Sequence, residues 1–309
     1  MITLVTSADD NYAHYLGVML FSLFRNKIPD TAIDVYVIDG GISQKNKGRL
    51  SDVSRKFAFT IHYLTITDNV YGYFYIDPII GYITPTAFYR LSIPDLFTKD
   101  TKKVLYMDCD VVVRKDLLDL WNSDISSYYL AAVNDWGPDA PTNYFNSGVM
   151  LLNLENIRQC NIMSKARDYI KKYNPLMPDQ DSLNFVANGK YLRLSQTFNV
   201  MSFLFTKEFQ RLDLTASQKG YMTKDAHIVH FTGNYKFTIF LNHNPYKYIF
   251  YEYLLQTPWK WRIFGELFRI PWQKLKYSYI KYGILNKHKN IHSYLKRMKR
   301  SFKKRSSLN

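Results

Sequence analysis

The sequence predicts an α/β fold with a mostly parallel central sheet and a helical, basic C-terminal extension. Short β-rich segments alternate with helix-length stretches in the first half of the 309 residues, as in βαβ units. Hydrophobic residues make up 47% of the chain, which is enough for a large core. The excess of basic over acidic residues lies almost entirely near the C-terminal end, so we expect that part to be an appendage.

The expected elements follow from this alternation. Strands are expected at residues 2–7, 33–39, 58–64 and 103–107, with helices after the first two. The second half contains an expected strand at 145–154, a helix from about 155 to 173, a helix beginning near Asp179 and a strand at 226–231. Parallel strands place their carboxyl ends at one edge of a sheet, where ligands bind. Acidic segments follow two of these strands, at 8–11 and 108–110.

The charge distribution defines the predicted domains. The net charge is +15, and residues 260–309 hold fifteen lysines and arginines against one acid, Glu266. The rest of the chain holds 26 basic and 25 acidic residues and is nearly neutral. The sequence therefore predicts a catalytic domain at 1–258 and a basic, aromatic tail at 259–309.

Targeting features are few. The N-terminal segment lacks the basic region of a signal peptide. The longest early apolar run, residues 15–24, is too short to cross a hydrocarbon core of about 30 Å, so we expect a buried helix there. Two cysteines, Cys109 and Cys160, show no pairing pattern, which is typical of a reducing compartment. We expect a cytoplasmic protein.

The most informative segment is the apolar strand that ends in Asp108-Cys109-Asp110. Residues two apart in extended backbone project to one side, so both carboxylates can bind one divalent cation such as Mn²⁺ or Mg²⁺. Two solvated turn acids would give the same pattern. A dehalogenase-type phosphatase, with Asp108 as nucleophile, is a further alternative, because Val112 matches that motif. The position of Asp108 after three strands argues against this alternative.

Six segments in one order carry a resemblance to a known family. They are ADDNY at 8–12, TAFYRL at 86–91, KVLYMDCD at 103–110, YFNSGV at 144–149, DQDSLN at 179–184 and HFTGNYK at 230–236. This set resembles glycosyltransferase family 8, and in particular the bacterial lipooligosaccharide α-galactosyltransferases. The resemblance extends from residue 1 to about 240, and the basic tail also has a counterpart in those enzymes.

The resemblance implies a fold of the GT-A type, which binds nucleotide sugars, and retaining transfer of galactose or glucose from UDP to a saccharide acceptor. It assigns Asp108, Asp110 and His230 as ligands of Mn²⁺ or Mg²⁺. A neutral imidazole suits Mn²⁺ beside carboxylates. His227 lies three positions before His230 and would face the other side of a strand, so we expect it to be structural.

The donor-binding residues follow from the same resemblance. Ala8, Asp9 and Asn11 are similar to uracil and ribose contacts, although helix capping is an alternative for Asp9 and Asn11. Arg90 resembles the arginine that contacts the donor sugar, and Cys109 lies among the donor contacts. Gly233 and Lys236 resemble the residues that hold the diphosphate. The family motif often continues with Pro-Trp after this lysine, where Phe237-Thr238 stand here.

The catalytic and acceptor-side residues are also implied by the resemblance. Asp179 and Gln180 match catalytic positions beside the transferred sugar, and Asn146 is similar to a donor contact there. Asp135 resembles an acceptor-side carboxylate, and helix capping is an alternative for Asp179. Gln180 stands where a nucleophile would be expected, and an amide is a poor nucleophile. We therefore expect front-face displacement.

The tail intersperses aromatic and aliphatic residues with lysine and arginine, a composition typical of segments at membrane interfaces. We expect it to bind an anionic membrane surface, which would make the protein peripheral on the inner face of the cell membrane. A solvated or disordered tail is the alternative. Nucleic acid is not an expected partner, because the neutral body would not extend the basic surface. A lectin-like protein without turnover is the remaining function class.

Overall fold

The computed structural model describes residues 1–66, 71, 74, 84–135, 137, 140, 141, 143–205, 220, 224–233 and 245–269. Residues Met1–Trp259 form one unit, and Lys260–Asn309 form a second. The described strands are β1 (Ile2–Ala8), β2 (Ile33–Asp39), β3 (Ile61–Leu64), β4 (Lys103–Met107), β5 (Val111–Val113), β6 (Leu130–Asn134), β7 (Phe145–Asn153), β8 (Tyr191–Arg193), β9 (Val200–Met201) and β10 (Ile228–His230).

The helices of the first unit pack around these strands. They are α1 (Ala13–Asn26), α2 (Gln44–Phe57), α3 (Ile93–Leu96), α4 (Leu118–Trp121), α5 (Leu154–Gln159), α6 (Ile162–Tyr173), α7 (Pro178–Ala187) and α8 (Lys247–Leu254). A 3₁₀ segment, Pro85–Ser92, precedes α3. Helix α1 is buried over most of its length because its residues are almost all apolar, which agrees with the buried first helix expected at 15–24.

Seven strands form the main sheet, in the order β3-β2-β1-β4-β7-β6-β8. Strand β7 runs antiparallel to its neighbours β4 and β6, and the other pairs are parallel. The α/β class and the mostly parallel sheet are thus confirmed. The apolar side chains of β4 and β7 are buried almost completely, as expected for strands covered on both faces.

A second sheet has three strands in the order β5-β10-β9, and its strand β5 follows β4 in the sequence. Strand β10 is antiparallel to β5, and their register places His230 opposite Val111. The N–H of Phe231 donates to the carbonyl oxygen of Asp110 at 3.1 Å. This pairing brings the C-terminal end of β10 to the acidic segment that follows β4.

The single helix predicted from about 155 to 173 is wrong. The chain forms α5 and α6, which are separated at Cys160 and Asn161. Asn161 has a φ of 52°, in the left-handed region that ends a helix and that asparagine tolerates better than most residues. The predicted strand at 58–64 is also shorter, because Ala58 has a φ of 55° and ends α2.

Trp259 belongs to the first unit, although the sequence assigned it to the tail. Its indole is buried, and its Nε1 donates to Oδ1 of Asn46 at 3.1 Å. A Cβ on Gly17 would lie 2.3 Å from the ring, so this glycine makes room for the indole. The division of the chain therefore falls directly after Trp259.

The second unit is described at residues 260–269. It contains helix α9 (Arg262–Arg269), and the rings of Trp261 and Phe264 stack with centroids 5.7 Å apart. The remaining residues of the predicted tail lie outside the described part of the chain. No helix in the described ranges combines the length and the apolar character needed to span a bilayer.

Candidate active site

The candidate site lies at the carboxyl ends of β1 and β4. These strands are parallel neighbours, with Val5 paired to Tyr106, so their acidic segments open on one edge as expected. Burial raises the pKa of the Tyr12 phenol, and the charges of Asp110 and Asp9 raise it further. Because Asp9 and Asp110 both raise the pKa of Tyr12, the two acidic segments lie near the same side chain.

Asp108 and Asp110 converge through a turn rather than through extended backbone. Strand β4 ends at Met107, residues 108–110 form the turn, and β5 begins at Val111. The N–H of Asp108 donates to the carbonyl oxygen of Gly148 at 2.8 Å, which ties the turn to β7. The convergence was predicted, but the extended geometry used to predict it was wrong, because a short turn connects β4 to β5 here.

Asp108, Asp110 and His230 form a group that we name the carboxylate cluster. Nε2 of His230 lies 3.3 Å from Oδ1 of Asp110 and 3.8 Å from Oδ2 of Asp108. One ligand atom from each residue falls within 4.8 Å of the others. Two carboxylate oxygens and one imidazole nitrogen are the donor set that suits Mn²⁺ or Mg²⁺.

Gly148 leaves the space that this cluster needs. A Cβ at this position would lie 2.3 Å from Cε1 of His230 and 2.8 Å from Oδ2 of Asp108. A side chain there would displace the imidazole and a carboxylate together. The donor atoms of the cluster and the space beside Gly148 therefore fit a small divalent cation.

His227 lies apart from the cluster. Its ring packs against Phe198, and its Nδ1 is 3.1 Å from the carbonyl oxygen of Asp225.

Asp108 is held by two donors on one oxygen. Its Oδ1 accepts from Nη2 of Arg90 and from the hydroxyl of Tyr106, each at 2.8 Å. Burial raises the pKa of the Asp108 carboxyl, and Arg90 opposes that rise. Because Oδ1 is occupied in this way, Oδ2 is the oxygen that faces His230.

Arg90, on the 3₁₀ segment Pro85–Ser92, is buried and binds protein groups through its whole guanidinium. Its Nη1 donates to the carbonyl oxygen and the hydroxyl of Ser147, at 2.8 and 2.9 Å, and lies 3.2 Å from Oδ2 of Asp179. Burial acts to lower the pKa of Arg90, but Asp108 and other anionic neighbours outweigh it and raise the pKa. Arg90 thus joins the carboxylate cluster to helix α7.

Asp179 does not cap α7, so the capping alternative is wrong. It lies within the first turn, after Pro178, and the residue before the helix, Met177, makes no side-chain cap. Oδ2 of Asp179 instead accepts from the hydroxyl of Ser147 at 3.0 Å. Its carboxylate is buried against Arg90 and Ser147, because the first turn of α7 packs on β7.

Three buried amides, Asn199, Asn146 and Gln180, form a group that we name the amide chain. Nδ2 of Asn199 donates to Oδ1 of Asn146 at 2.9 Å, and Nδ2 of Asn146 donates to Oε1 of Gln180 at 3.0 Å. Nε2 of Gln180 donates to Oδ2 of Asp135 at 3.1 Å. At the other end, Oδ1 of Asn199 lies 3.0 Å from Nδ1 of His230. The chain therefore connects the carboxylate cluster to the predicted acceptor-side carboxylate.

The predicted nucleotide contacts lie at the end of β1. Ala8 is buried, and Asn11 is exposed. Oδ1 of Asp9 accepts from the N–H of Tyr12 at 3.0 Å, which stabilises the turn that leads into α1. Oδ1 of Asp10 accepts from the N–H of Ser43 and from Nδ2 of Asn46, so Asp10 anchors the start of α2.

Gly233 follows β10 by three residues and has a φ of 91°, which favours glycine. A Cβ there would meet no atom of the described residues within 4 Å, and the positive φ is the feature that favours glycine. Lys236 lies outside the described residues. Cys109 is buried in the turn between the two aspartates, and no disulfide joins it to Cys160.

Sequence reasoning gave no role to Ser147, Tyr106 or Asn199, which hold the predicted site residues in place. Ser147 and Tyr106 lie inside segments quoted for the resemblance. Each is a polar residue in an apolar strand, and buried polar groups need hydrogen-bond partners, so this pattern could have marked them as supporting residues. Asn199 lies in the segment Gln-Thr-Phe-Asn-Val-Met, where an asparagine beside apolar residues gives only a weak indication of a functional role.

Comparison with known proteins agrees with this geometry. The family model "Glycosyl transferase family 8" matches residues 3–237. General stress protein A of Bacillus subtilis strain 168 is 34% identical over 248 residues, which span 75% of this chain and 86% of that protein. The lipopolysaccharide 1,2-glucosyltransferase of Escherichia coli K12 is 25% identical over 248 residues, which span 73% and 69% of the two chains.

A solved structure has the same fold. The galactosyltransferase LgtC, in complex with donor and acceptor sugar analogues, superposes with a TM-score of 0.69 and 26% identity over 84% of this chain and 99% of that chain. This superposition confirms the GT-A type fold. The matched residues include the carboxylate cluster, Arg90 and the amide chain. The chain therefore belongs to glycosyl transferase family 8.

Proposed function

We propose that this protein is a retaining hexosyltransferase that moves galactose or glucose from UDP to a saccharide acceptor on a surface glycan or glycoprotein. The observation that carries the proposal is the carboxylate cluster, which lies beside a guanidinium and a fixed amide on the edge where such folds bind nucleotides. The similar lipopolysaccharide 1,2-glucosyltransferase supports lipopolysaccharide assembly as the context, and the galactosyltransferase LgtC supports transfer of a hexose.

Asp108, Asp110 and His230 would hold Mn²⁺ or Mg²⁺ together with the donor diphosphate. When bound, this cation supplies positive charge for the UDP leaving group. Gly233 would let the backbone approach the diphosphate, and Lys236 would add a further charge to it. Ala8, Asp9 and Asn11 would contact the uracil and the ribose, and Cys109 lies between the two aspartates on the donor side.

The protein residues orient the reaction on one face of the sugar. In the proposed step, the bond from sugar C1 to the phosphate oxygen breaks and a bond from C1 to the acceptor oxygen forms on the same face. The departing phosphate oxygen takes the acceptor hydroxyl proton, so no protein base is needed. Arg90, Asn146, Asp179 and Gln180 would fix the sugar, and Asp135 would contact the acceptor. The amide of Gln180 hydrogen-bonds at both ends, which suits positioning rather than nucleophilic attack.

The experiment that tests this proposal measures UDP release from UDP-galactose and UDP-glucose, with and without Mn²⁺ or Mg²⁺ and saccharide acceptors. Cation-dependent release that increases with an acceptor is expected. The stereochemistry is read by proton NMR of the new linkage, and an α product is expected. A β product would contradict the retaining mechanism. Release of inorganic phosphate from phosphate esters, without any need for UDP, would instead favour a phosphatase.

We also propose that residues 260–309 bind an anionic membrane surface and place the enzyme on the inner face of the cell membrane. Their charge of +14, interspersed with tryptophan, tyrosine and phenylalanine, supports this role. Binding to anionic vesicles should decrease sharply when the chain ends after Trp259, and it should decrease with salt for the full-length protein. This truncation keeps the buried indole, which a cut before Trp259 would remove.

A second truncation, after Tyr282, removes the most basic end and keeps the aromatic segment. Intermediate vesicle binding is expected from it, with unchanged UDP release in solution for both truncated proteins. Full-length protein that does not bind anionic vesicles at low salt would overturn the membrane role without affecting the proposed transfer reaction.

A further inference from the structure

Asn199 is buried completely between two parts of the site that the proposed reaction uses. It lies directly before β9, and β9 pairs with β10, where Met201 is opposite His230. Its backbone is held by Gln196, whose carbonyl oxygen accepts from the Asn199 N–H at 3.2 Å and whose Nε2 donates to the Asn199 carbonyl oxygen at 3.1 Å. The side chain therefore has little freedom to move.

Two backbone donors determine the orientation of the whole amide chain. The N–H of Gly148 donates to Asn146 at 3.0 Å, so the atom of Asn146 at that point is its oxygen. The N–H of Ser147 donates to Gln180 at 3.1 Å, which likewise identifies Oε1 of Gln180. Because a backbone N–H can only donate, these assignments do not depend on how the amides are drawn.

The orientation of Asn199 follows from that of Asn146. The oxygen of Asn146 contacts Asn199 at 2.9 Å, so the Asn199 atom at that contact is the NH₂ donor. The other end of the Asn199 amide is then its oxygen, and it lies 3.0 Å from Nδ1 of His230. An oxygen acceptor at this distance requires a proton on Nδ1.

We propose that Asn199 is a positioning residue that holds His230 in the tautomer protonated on Nδ1, so that Nε2 presents its lone pair to the carboxylate cluster. The geometry agrees, since Nε2 is the ring nitrogen nearest Asp110 and Asp108. A hydrogen bond on the second ring nitrogen is the usual way in which a protein orients a ligating histidine. The part concerning cation binding rests on the proposed function.

The experiment uses full-length protein and three variants. Asn199→Leu removes both hydrogen bonds, whereas Asn199→Asp keeps an oxygen acceptor for Nδ1. Asn153→Ala is the matched control, because Asn153 is an asparagine that caps α5 away from the site. Ring ¹⁵N NMR of metal-free protein reports which nitrogen of the His230 ring carries the proton. The His230 signals are identified by their loss in His230→Gln.

Wild type, Asn199→Asp and Asn153→Ala are expected to carry the His230 proton on Nδ1, and Asn199→Leu should shift it toward Nε2. Mn²⁺ affinity, measured from the electron paramagnetic resonance of the free ion, should fall about tenfold to a hundredfold in Asn199→Leu. It should be largely retained in Asn199→Asp. A proton on Nε2 in wild type, or unchanged Mn²⁺ affinity in Asn199→Leu, would overturn the inference. Wild type that binds no Mn²⁺ would instead contradict the proposed cation site, and the tautomer would still be read independently.

Discussion

The carboxylate cluster and the amide chain meet at His230, and they differ in how their polar groups are satisfied. In the cluster, Asp108 pairs with Arg90, both acids lie near His230, and Oδ2 of Asp108 is 3.8 Å from Nε2 of His230, beyond hydrogen-bond distance. In the amide chain, each amide is hydrogen-bonded through both its nitrogen and its oxygen, and the distances are 2.9–3.3 Å, including the bond from Nδ2 of Asn146 to Oδ2 of Asp135. The carboxylates of the cluster can therefore bind a cation, whereas the hydrogen bonds of the amide chain hold its side chains in fixed orientations.

This difference predicts that the carboxylate cluster and the amide chain respond differently to substitution. Removing the charge of Asp110 should abolish cation binding with little cost to the fold, because the two acids repel one another without a cation. Removing an amide should leave buried partners unsatisfied, so it should change positioning and stability together. The following predictions test this contrast, from the largest effect to the smallest.

Asp110→Asn should reduce cation-dependent UDP release by at least about a hundredfold, because the variant loses a charged ligand of the cation that compensates the diphosphate. Asp108→Asn and His230→Ala should behave similarly. Initial rates with saturating UDP-sugar and a Mn²⁺ titration measure the effect. Asp225→Asn is the control, since Asp225 forms an exposed pair with Lys115. Normal activity and Mn²⁺ dependence in Asp110→Asn would remove the cation site proposed here.

Gln180→Ala should lower kcat by about tenfold to a hundredfold and change UDP binding less than about threefold, because Gln180 contacts Asn146, Ser147 and Asp135 rather than the carboxylate cluster. Steady-state kinetics and UDP calorimetry separate the two quantities. A loss of UDP affinity as large as the loss of kcat would erase the proposed distinction between the cluster and the amide chain.

Ser147→Ala should reduce the free energy of unfolding by about 1–3 kcal/mol, because it removes the hydroxyl between the buried Arg90 and Asp179. Urea unfolding at neutral pH measures this. Ser182→Ala is the matched control, since the Ser182 hydroxyl donates only to a backbone oxygen of its own helix. Equal losses in both variants would mean that the Arg90 network adds nothing beyond a local hydrogen bond.

Asp10→Ala should cost about 1 kcal/mol at neutral pH, because Asp10 anchors the start of α2. The side-chain and backbone hydrogen bonds of Ser43, followed by that of Asn46, lower the pKa of Asp10 below its ordinary value of 3.8. A lowered folded-state pKa means that the contribution is complete above the unfolded value and is lost as pH falls through the folded value.

The stability difference between wild type and Asp10→Ala should therefore be constant from pH 7 to about pH 5 and should shrink below about pH 4. Thermal unfolding across this range tests it, with UDP release as the second measurement. A strong loss of activity at neutral pH would place Asp10 in the nucleotide site rather than in the support of α2.

Local segments of the chain were predicted well where a single physical signal dominates. Strands β2 and β4 have the predicted bounds, because apolar residues with a high preference for strands dominate both segments. The helix break at Asn161 was not predicted, because a left-handed asparagine competes only weakly with helix formation in the sequence pattern. The turn between Asp108 and Asp110 was missed since the pairing of β5 with β10, more than a hundred residues away, determines it.

The sequence alone determined the chemical content of this protein. The order of its motifs, the acids after β4 and the charge of residues 260–309 are properties of the chain itself, and they predicted the fold class and the family. The tertiary structure decided which polar atoms face one another. Asn199, Asn146, Gln180 and His230 come from four separate segments of the chain, and strand register and helix packing align their atoms. Hydrogen bonds act over about 3 Å, so positions along the chain cannot specify them until the fold is formed.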